Sequence, residues 1–149
     1  MNPQGAASAV PFGLASYTYH PNNGKLETLT YGNGDRVKYL YDALDRVKEI
    51  CYNTGEDGAF ETVYSYEYTA SGALAKAIDH RNGTTVAYAY DALGKVIGTY
   101  TYDTAEGMIH FREDFVYDDE DRLTQTTECQ GRYLRRCPCR ARCCGCKAR

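Results

Sequence analysis

The sequence predicts an all-β protein of tandem antiparallel β-hairpins in a twisted, spiralling sheet. Three observations predict it. Residues 33–44 (NGDRVKYLYDAL) return 49 positions later as residues 82–93 (NGTTVAYAYDAL), identical at 8 of 12 positions. Tyr, Val and Thr, which favour strands, recur with a period of two rather than 3.6. Turn residues punctuate the chain at the spacing of about 8–12 residues expected of all-β proteins.

A looser unit, Tyr-x-Tyr-(Asp)-x-x-Gly-(Lys/Arg)-(Leu/Val), occurs five times, and each copy reads as strand, tight turn and return strand. The first, YTYHPNNGKL from Tyr17, turns at Gly24. The second, YLYDALDRV from Tyr39, sets Tyr39 and Tyr41 on one strand face and opens its turn with Asp42, whose carboxylate can accept from backbone amides further on. Its turn position is Asp45, where the pattern wants a glycine able to adopt positive φ; Asp tolerates that region at some strain. Asn33-Gly34 precedes this unit and is a strong hairpin signal. Residues 53–59 (NTGEDGA) form a longer link. The third unit, YEYTASGAL, carries Tyr66, Tyr68 and Gly72. Asn82-Gly83 supplies the next hairpin signal, and the fourth unit, YAYDALGKV, follows with Tyr88, Tyr90, Asp91 and Gly94. A second long link (DTAEG, 103–107) leads to the fifth, FVYDDEDRL, with Tyr117, Asp118 and Asp121. About ten strands result, and no long segment shows helical periodicity.

These residues resemble the YD repeat of the RHS family, Tyr-x-Tyr-Asp-x-x-Gly-Arg-Leu, over about residues 15–128, best at Tyr39 and Tyr88. The resemblance implies a large bacterial parent, a polymorphic toxin or wall-associated protein, secreted or at the cell surface. There many units wind into a β-shell enclosing a C-terminal toxin, or, in animal teneurins, form an adhesion module. With few units and no core-ending segment, the chain is expected to be an open section of such a shell, non-catalytic. Its partners would be neighbouring repeats or an enclosed toxin domain, with glycans on the tyrosine face as the alternative. The repeat-motif residues above have a structural role in this reading.

Composition sets further bounds. The chain has 149 residues, 15 Tyr against 4 Phe, no Trp and a net charge of −3. That length suits one domain with a modest core. No apolar run is long enough for a membrane-spanning helix, and the N-terminus lacks the pattern of a secretory signal. Residues 1–14 read as an irregular leader, 15–128 as the repeat region and 129–149 as a separate tail. The tail holds six of the seven cysteines and seven basic residues but no acid, whereas residues 1–128 carry −10. Its cysteines lack zinc-module spacing, so metal binding there is a third functional reading, and its charges offer only non-specific contacts to nucleic acid, which is not an expected partner. It reads best as frame-shifted or disordered sequence.

No catalytic constellation emerges, and no cofactor or metal is expected. His20, His80 and His110 lie at or near turns with no nucleophile placed by motif. The run Asp118-Asp119-Glu120-Asp121 lacks the ligand spacing of a calcium loop. Cys51 reads as a lone thiol, buried or half-buried.

Overall fold

The computed structural model describes residues 14–54, 58–130 and the backbone of 147–148; residues 1–13 of the expected leader and the cysteines from 137 to 146 lie outside these residues. The described residues are all-β, with no helix and hence none long and apolar enough to cross a membrane. The strands are β1 (Ser16–Tyr19), β2 (Leu26–Thr30), β3 (Arg36–Tyr41), β4 (Val47–Asn53), β5 (Glu61–Tyr68), β6 (Leu74–Asp79), β7 (Thr84–Tyr90), β8 (Val96–Asp103), β9 (Ile109–Tyr117), β10 (Leu123–Gln130) and β11 (Lys147–Ala148). β10 thus runs two residues past 128, and β11 pairs with it at Thr127 and Glu128.

Contacts divide the chain into two compact units, Met1–Val63 and Tyr64–Arg149. The reason is local pairing: each strand touches its sequence neighbours, so contacts never gather around one centre. In each unit strand order follows chain order and pairing is antiparallel. The sheet is open, for β1 has a described strand partner on one side alone.

Among the described residues the core is modest. Buried apolar side chains are limited to Val37, Cys51, Val63 and Cys129, while the polar Asn53 and Thr85 are as deeply buried. Most strand side chains are half-exposed instead. Order comes from the ladders and turns more than from an apolar interior, as in arrays where a unit buries surface only against its neighbours.

The turns explain the pairing. In the hairpins closed at Asp42, Thr69, Asp91 and Asp118, the residue three on donates its N–H back to the first residue's carbonyl, and the first residue's N–H is accepted by the carbonyl four on. This is a type I turn followed by a left-handed residue. That residue is Asp45 (φ 63°), Gly72 (91°), Gly94 (82°) and Asp121 (65°). Asp45 and Asp121 are the two non-glycine residues with positive φ among the described residues, as the repeat phase predicts. The first turn is one residue longer, Gly24 (φ 68°) donating to His20, which accounts for the extra residue in YTYHPNNGKL. Asn33-Gly34 does not form a two-residue turn: Gly34 (φ 87°) is the left-handed residue of the same type I pattern, closed between Tyr31 and Asp35. A register shift then falls at the second tyrosine of each unit, between Leu40 and Tyr41, Glu67 and Tyr68, and Ala89 and Tyr90.

Candidate functional site

The candidate site is the ladder of tyrosines and its turns. Alternation puts both tyrosines of a unit on one face. Tyr39 lies opposite Ile50 and Tyr41 opposite Val47; Tyr66 opposite Ala77 and Tyr68 opposite Leu74; Tyr88 opposite Thr99 and Tyr90 opposite Val96; Tyr117 opposite Leu123. All seven are half-buried.

The second tyrosine of a unit reaches the unit before it. Tyr41 Oη donates to Leu26 O (2.7 Å), Tyr90 Oη to Leu74 O (2.7 Å) and Tyr117 Oη to Val96 O (2.9 Å). Each acceptor is the first residue of the preceding unit's return strand. Burial raises the Tyr41 pKa above its ordinary value, and the neighbouring Tyr39 adds to the rise. The lysine after the preceding turn covers the ring: Lys25 Nζ lies 5.3 Å from the Tyr41 centroid and Lys95 Nζ 4.7 Å from that of Tyr117.

The turn aspartates are spent on the backbone. Asp42 Oδ1 accepts from the amides of Leu44 and Arg46, Asp91 Oδ1 from Leu93 and Lys95, and Asp118 Oδ1 from Glu120 and Arg122. The Arg46 side chain holds the Asp42 carboxyl below its usual pKa, with the Arg46 amide second. For Asp118 the Arg122 amide leads and its guanidinium follows. In the turn before the fourth unit Asp79 takes this role, accepting from the Asn82 side chain and from the amides of Arg81 and Asn82, while Gly83 adopts φ 63°. Asn82 hydrogen-bonding lowers the Asp79 pKa.

The acidic run at 118–121 is therefore a turn, with Glu120 paired to Arg122 and Asp121 to Lys95. Among the described residues no group of His, Cys, Asp and Glu converges with metal-ligand geometry. Cys51 is a free thiol, 5% exposed, its Sγ 3.6 Å from Thr62 Oγ1. Cys129 is buried and disulfide-bonded. His20 accepts from the Asn22 amide in its own turn, and His110 is exposed on β9.

Three relationships go beyond the sequence reading. Lys25 reaches the Asp45 carbonyl and Lys95 the Asp121 carboxylate, each one turn ahead. Their signal was present: both units that replace the turn glycine with Asp follow a unit with Lys after its turn. His80 lies 2.8 Å from Ser65 Oγ through a strand pairing no motif announces. The pair is exposed, and no described group holds the other ring nitrogen, so it lacks the third member that orients a catalytic base. Finally, the Arg112 guanidinium forms a fork with Asp114 (2.7–3.0 Å) over the Tyr100 ring (5.1 Å).

A groove of about 330 Å³ runs beside Tyr39 and Tyr41, bordered by His20, Asn23, Asp42 and Asp45. Its polar groups are engaged internally, Asn23 with Asp45 and Asp42 with Arg46. The hydroxyls of Tyr41, Tyr90 and Tyr117 are taken by the joints between units.

No family model and no curated relative matches the chain. Its fold matches solved structures. The crystal structure of TcdB2-TccC3-Cdc42 superposes with a TM-score of 0.69 at 18% identity over 78% of this chain. That of TcdB2-TccC3 gives 0.68 at 18% over 78%, and the Tc holotoxin pore of Photorhabdus luminescens, carrying a TccC3 mutation, 0.66 at 18% over 75%. The fold is that of a short stretch of these toxin-complex chains. This chain spans 5–6% of their length.

Proposed function

We propose that the chain is a non-catalytic wall segment of an RHS/YD-type β-shell, whose parent encloses a C-terminal toxin or acts at the cell surface. The observation that carries this is the repeated rung in which one unit's second tyrosine hydrogen-bonds the preceding unit's return strand. Such a contact propagates an array and needs no ligand. The fold likeness to chains of a Tc holotoxin supports a shell in a secreted toxin. In that setting the partners are further repeats and the enclosed domain.

Glycan binding remains the rival, and the same tyrosines decide between them. Tyr39→Ala and Tyr88→Ala remove the ring of the first tyrosine and leave the rungs in place. On a glycan array the parent chain is expected to give no saturable signal. Binding by the parent that a folded Tyr39→Ala or Tyr88→Ala variant loses would overturn the structural reading. A shell role also predicts that a protease digests a C-terminal cargo faster once this segment is deleted from a longer parent. Unchanged digestion would count against it.

A further inference from the structure

Three Asn-Gly steps lie among the described residues: Asn23-Gly24, Asn33-Gly34 and Asn82-Gly83. Such a step carries its own chemistry, because a glycine without Cβ leaves its backbone nitrogen open to approach. That nitrogen can attack the side-chain carbonyl carbon of the asparagine before it and close a five-membered ring. In sequence the three steps are equivalent. Their hydrogen bonds are not.

At the first step Gly24 N donates to His20 O (2.9 Å). The Asn23 carboxamide is held at both ends, Nδ2 donating to Asp45 Oδ1 (2.9 Å) and Oδ1 accepting from the Lys25 amide (3.1 Å). At the second, Gly34 N donates to Tyr31 O (2.9 Å), while Asn33 Nδ2 donates to Asp35 Oδ2 (2.8 Å) and Oδ1 accepts from the Asp35 amide (3.1 Å). Attack at either step gives up the hydrogen bond of the nucleophile and those of the carboxamide that must turn toward it. The third step differs. Among the described residues Gly83 N has no acceptor and Asn82 Oδ1 has no donor. Asn82 is fixed through its nitrogens alone, the amide donating to Asp79 Oδ1 (3.1 Å) and Nδ2 to Asp79 Oδ2 (2.7 Å). Asn82 is exposed, so water reaches it.

We propose that Asn82 is a self-modifying site, converted through a cyclic imide to aspartate and isoaspartate ahead of Asn23 and Asn33, and that its conversion loosens the β6–β7 hairpin. Gly83 N gives its proton to solvent base and bonds Asn82 Cγ. The Cγ–Nδ2 bond breaks, and Nδ2 takes a proton from water and leaves as ammonia. Water then adds to one of the two ring carbonyls and opens the ring. No oxidant, metal or second protein enters. Both products set a new negative charge beside Asp79 in place of its Nδ2 donor, so like charges meet within one turn. Opening to isoaspartate also adds a carbon to the main chain between Asp79 and Thr84, the pair that closes the β6–β7 ladder. The Gly83 carbonyl, which accepts from Thr104 N (2.8 Å), moves with it.

Peptide mapping by mass spectrometry of the full chain, aged in mildly alkaline buffer, tests this. In the folded chain Asn82 is expected to convert about 2- to 10-fold faster than Asn23 or Asn33, the worth of one hydrogen bond on the attacking nitrogen. In concentrated urea the three rates should converge, because the turns that rank them are gone. Ammonia release should lose its fastest phase in Asn82→Gln, whose longer side chain closes a ring far more slowly. The aged chain should also exchange its amides faster in β6 and β7 than the fresh chain. Equal rates at the three steps in the folded chain overturn the proposal. So does a lead of Asn82 that persists in urea, which would assign the ranking to local sequence. Unchanged exchange in β6 and β7 after conversion overturns the loosening of the hairpin. If Asn82→Gln fails to fold, the mapping of the parent chain decides alone.

Discussion

Lys95 forms an ion pair with Asp121, a residue held at φ 65° one turn further along the array. The pair joins two facts that look separate in the sequence. Asp121 departs from the glycine of the repeat, and Lys95 does not bond its own turn aspartate through its side chain as Arg46 and Arg122 do. The same exchange occurs in the first unit, where Lys25 reaches the Asp45 carbonyl and Asn23 donates to the Asp45 carboxylate (2.9 Å). A lysine therefore serves the next turn, an arginine its own.

Asp121 and Asp45 balance backbone strain against these contacts. Asp121→Gly relieves the left-handed backbone and loses the pair with Lys95. Because exposed pairs contribute little, the expected outcome in thermal melts is unchanged or slightly higher stability. Asp121→Ala loses both the tolerance and the pair, with an expected loss of about 1 kcal/mol. Asp121→Gly should also weaken the salt dependence of the melting temperature. A markedly less stable Asp121→Gly would show that the ion pair outweighs the strain.

The acid limb of stability comes from the turn aspartates. Asp42, Asp79 and Asp118 have folded pKa values below the ordinary 3.8. A depressed carboxylate pKa contributes stability that is present above 3.8 and lost as the pH falls through the folded value. Melting temperature should therefore decline below about pH 4. At the other end the raised pKa of Tyr41 contributes stability that is full below 10.0 and lost as the pH rises through the folded value. The triple variant Asp42→Asn, Asp79→Asn, Asp118→Asn should have a flatter acid limb. An unaltered limb would place its origin elsewhere.

The hairpin array was legible in the sequence because its determinants are local. Asp45 and Asp121 had to adopt positive φ once the unit was aligned with Gly72 and Gly94, and they do. What joins the units was not legible. Tyr90 meets Leu74 across 16 residues and Tyr117 meets Val96 across 21, distances set by register rather than by any motif. The scarcity of buried side chains was equally hidden. Composition counts apolar residues, but it does not say that hairpins laid side by side leave most of them half-exposed.

The rung can be weighed by deleting one oxygen. Tyr90→Phe keeps the ring and leaves the Leu74 carbonyl without its donor, an expected loss of about 1 kcal/mol in denaturant unfolding. Tyr88 has no described hydroxyl partner, so Tyr88→Phe should stay within about 0.5 kcal/mol of the parent. If both variants cost the same, the hydroxyl of Tyr90 has no special part in joining the units.

Two glycines in neighbouring positions of the fourth hairpin should fail for different reasons. At Gly94 an added Cβ meets nothing within 4 Å, so Gly94→Ala costs only left-handed strain at φ 82°, about 1 kcal/mol. Gly98 is buried in β8, and its Cβ would stand 3.0 Å from the Glu113 carbonyl oxygen and 3.4 Å from Asp114 Oδ1. The first of these atoms is backbone of the paired strand and can yield only by opening the β8–β9 ladder. The second belongs to the carboxylate that Arg112 grips. Gly98→Ala should therefore cost about 1–3 kcal/mol and, unlike Gly94→Ala, speed amide exchange along β9. Amide exchange followed by NMR separates the two: a Gly98→Ala variant with unchanged protection in β9 would mean that the strands part without cost.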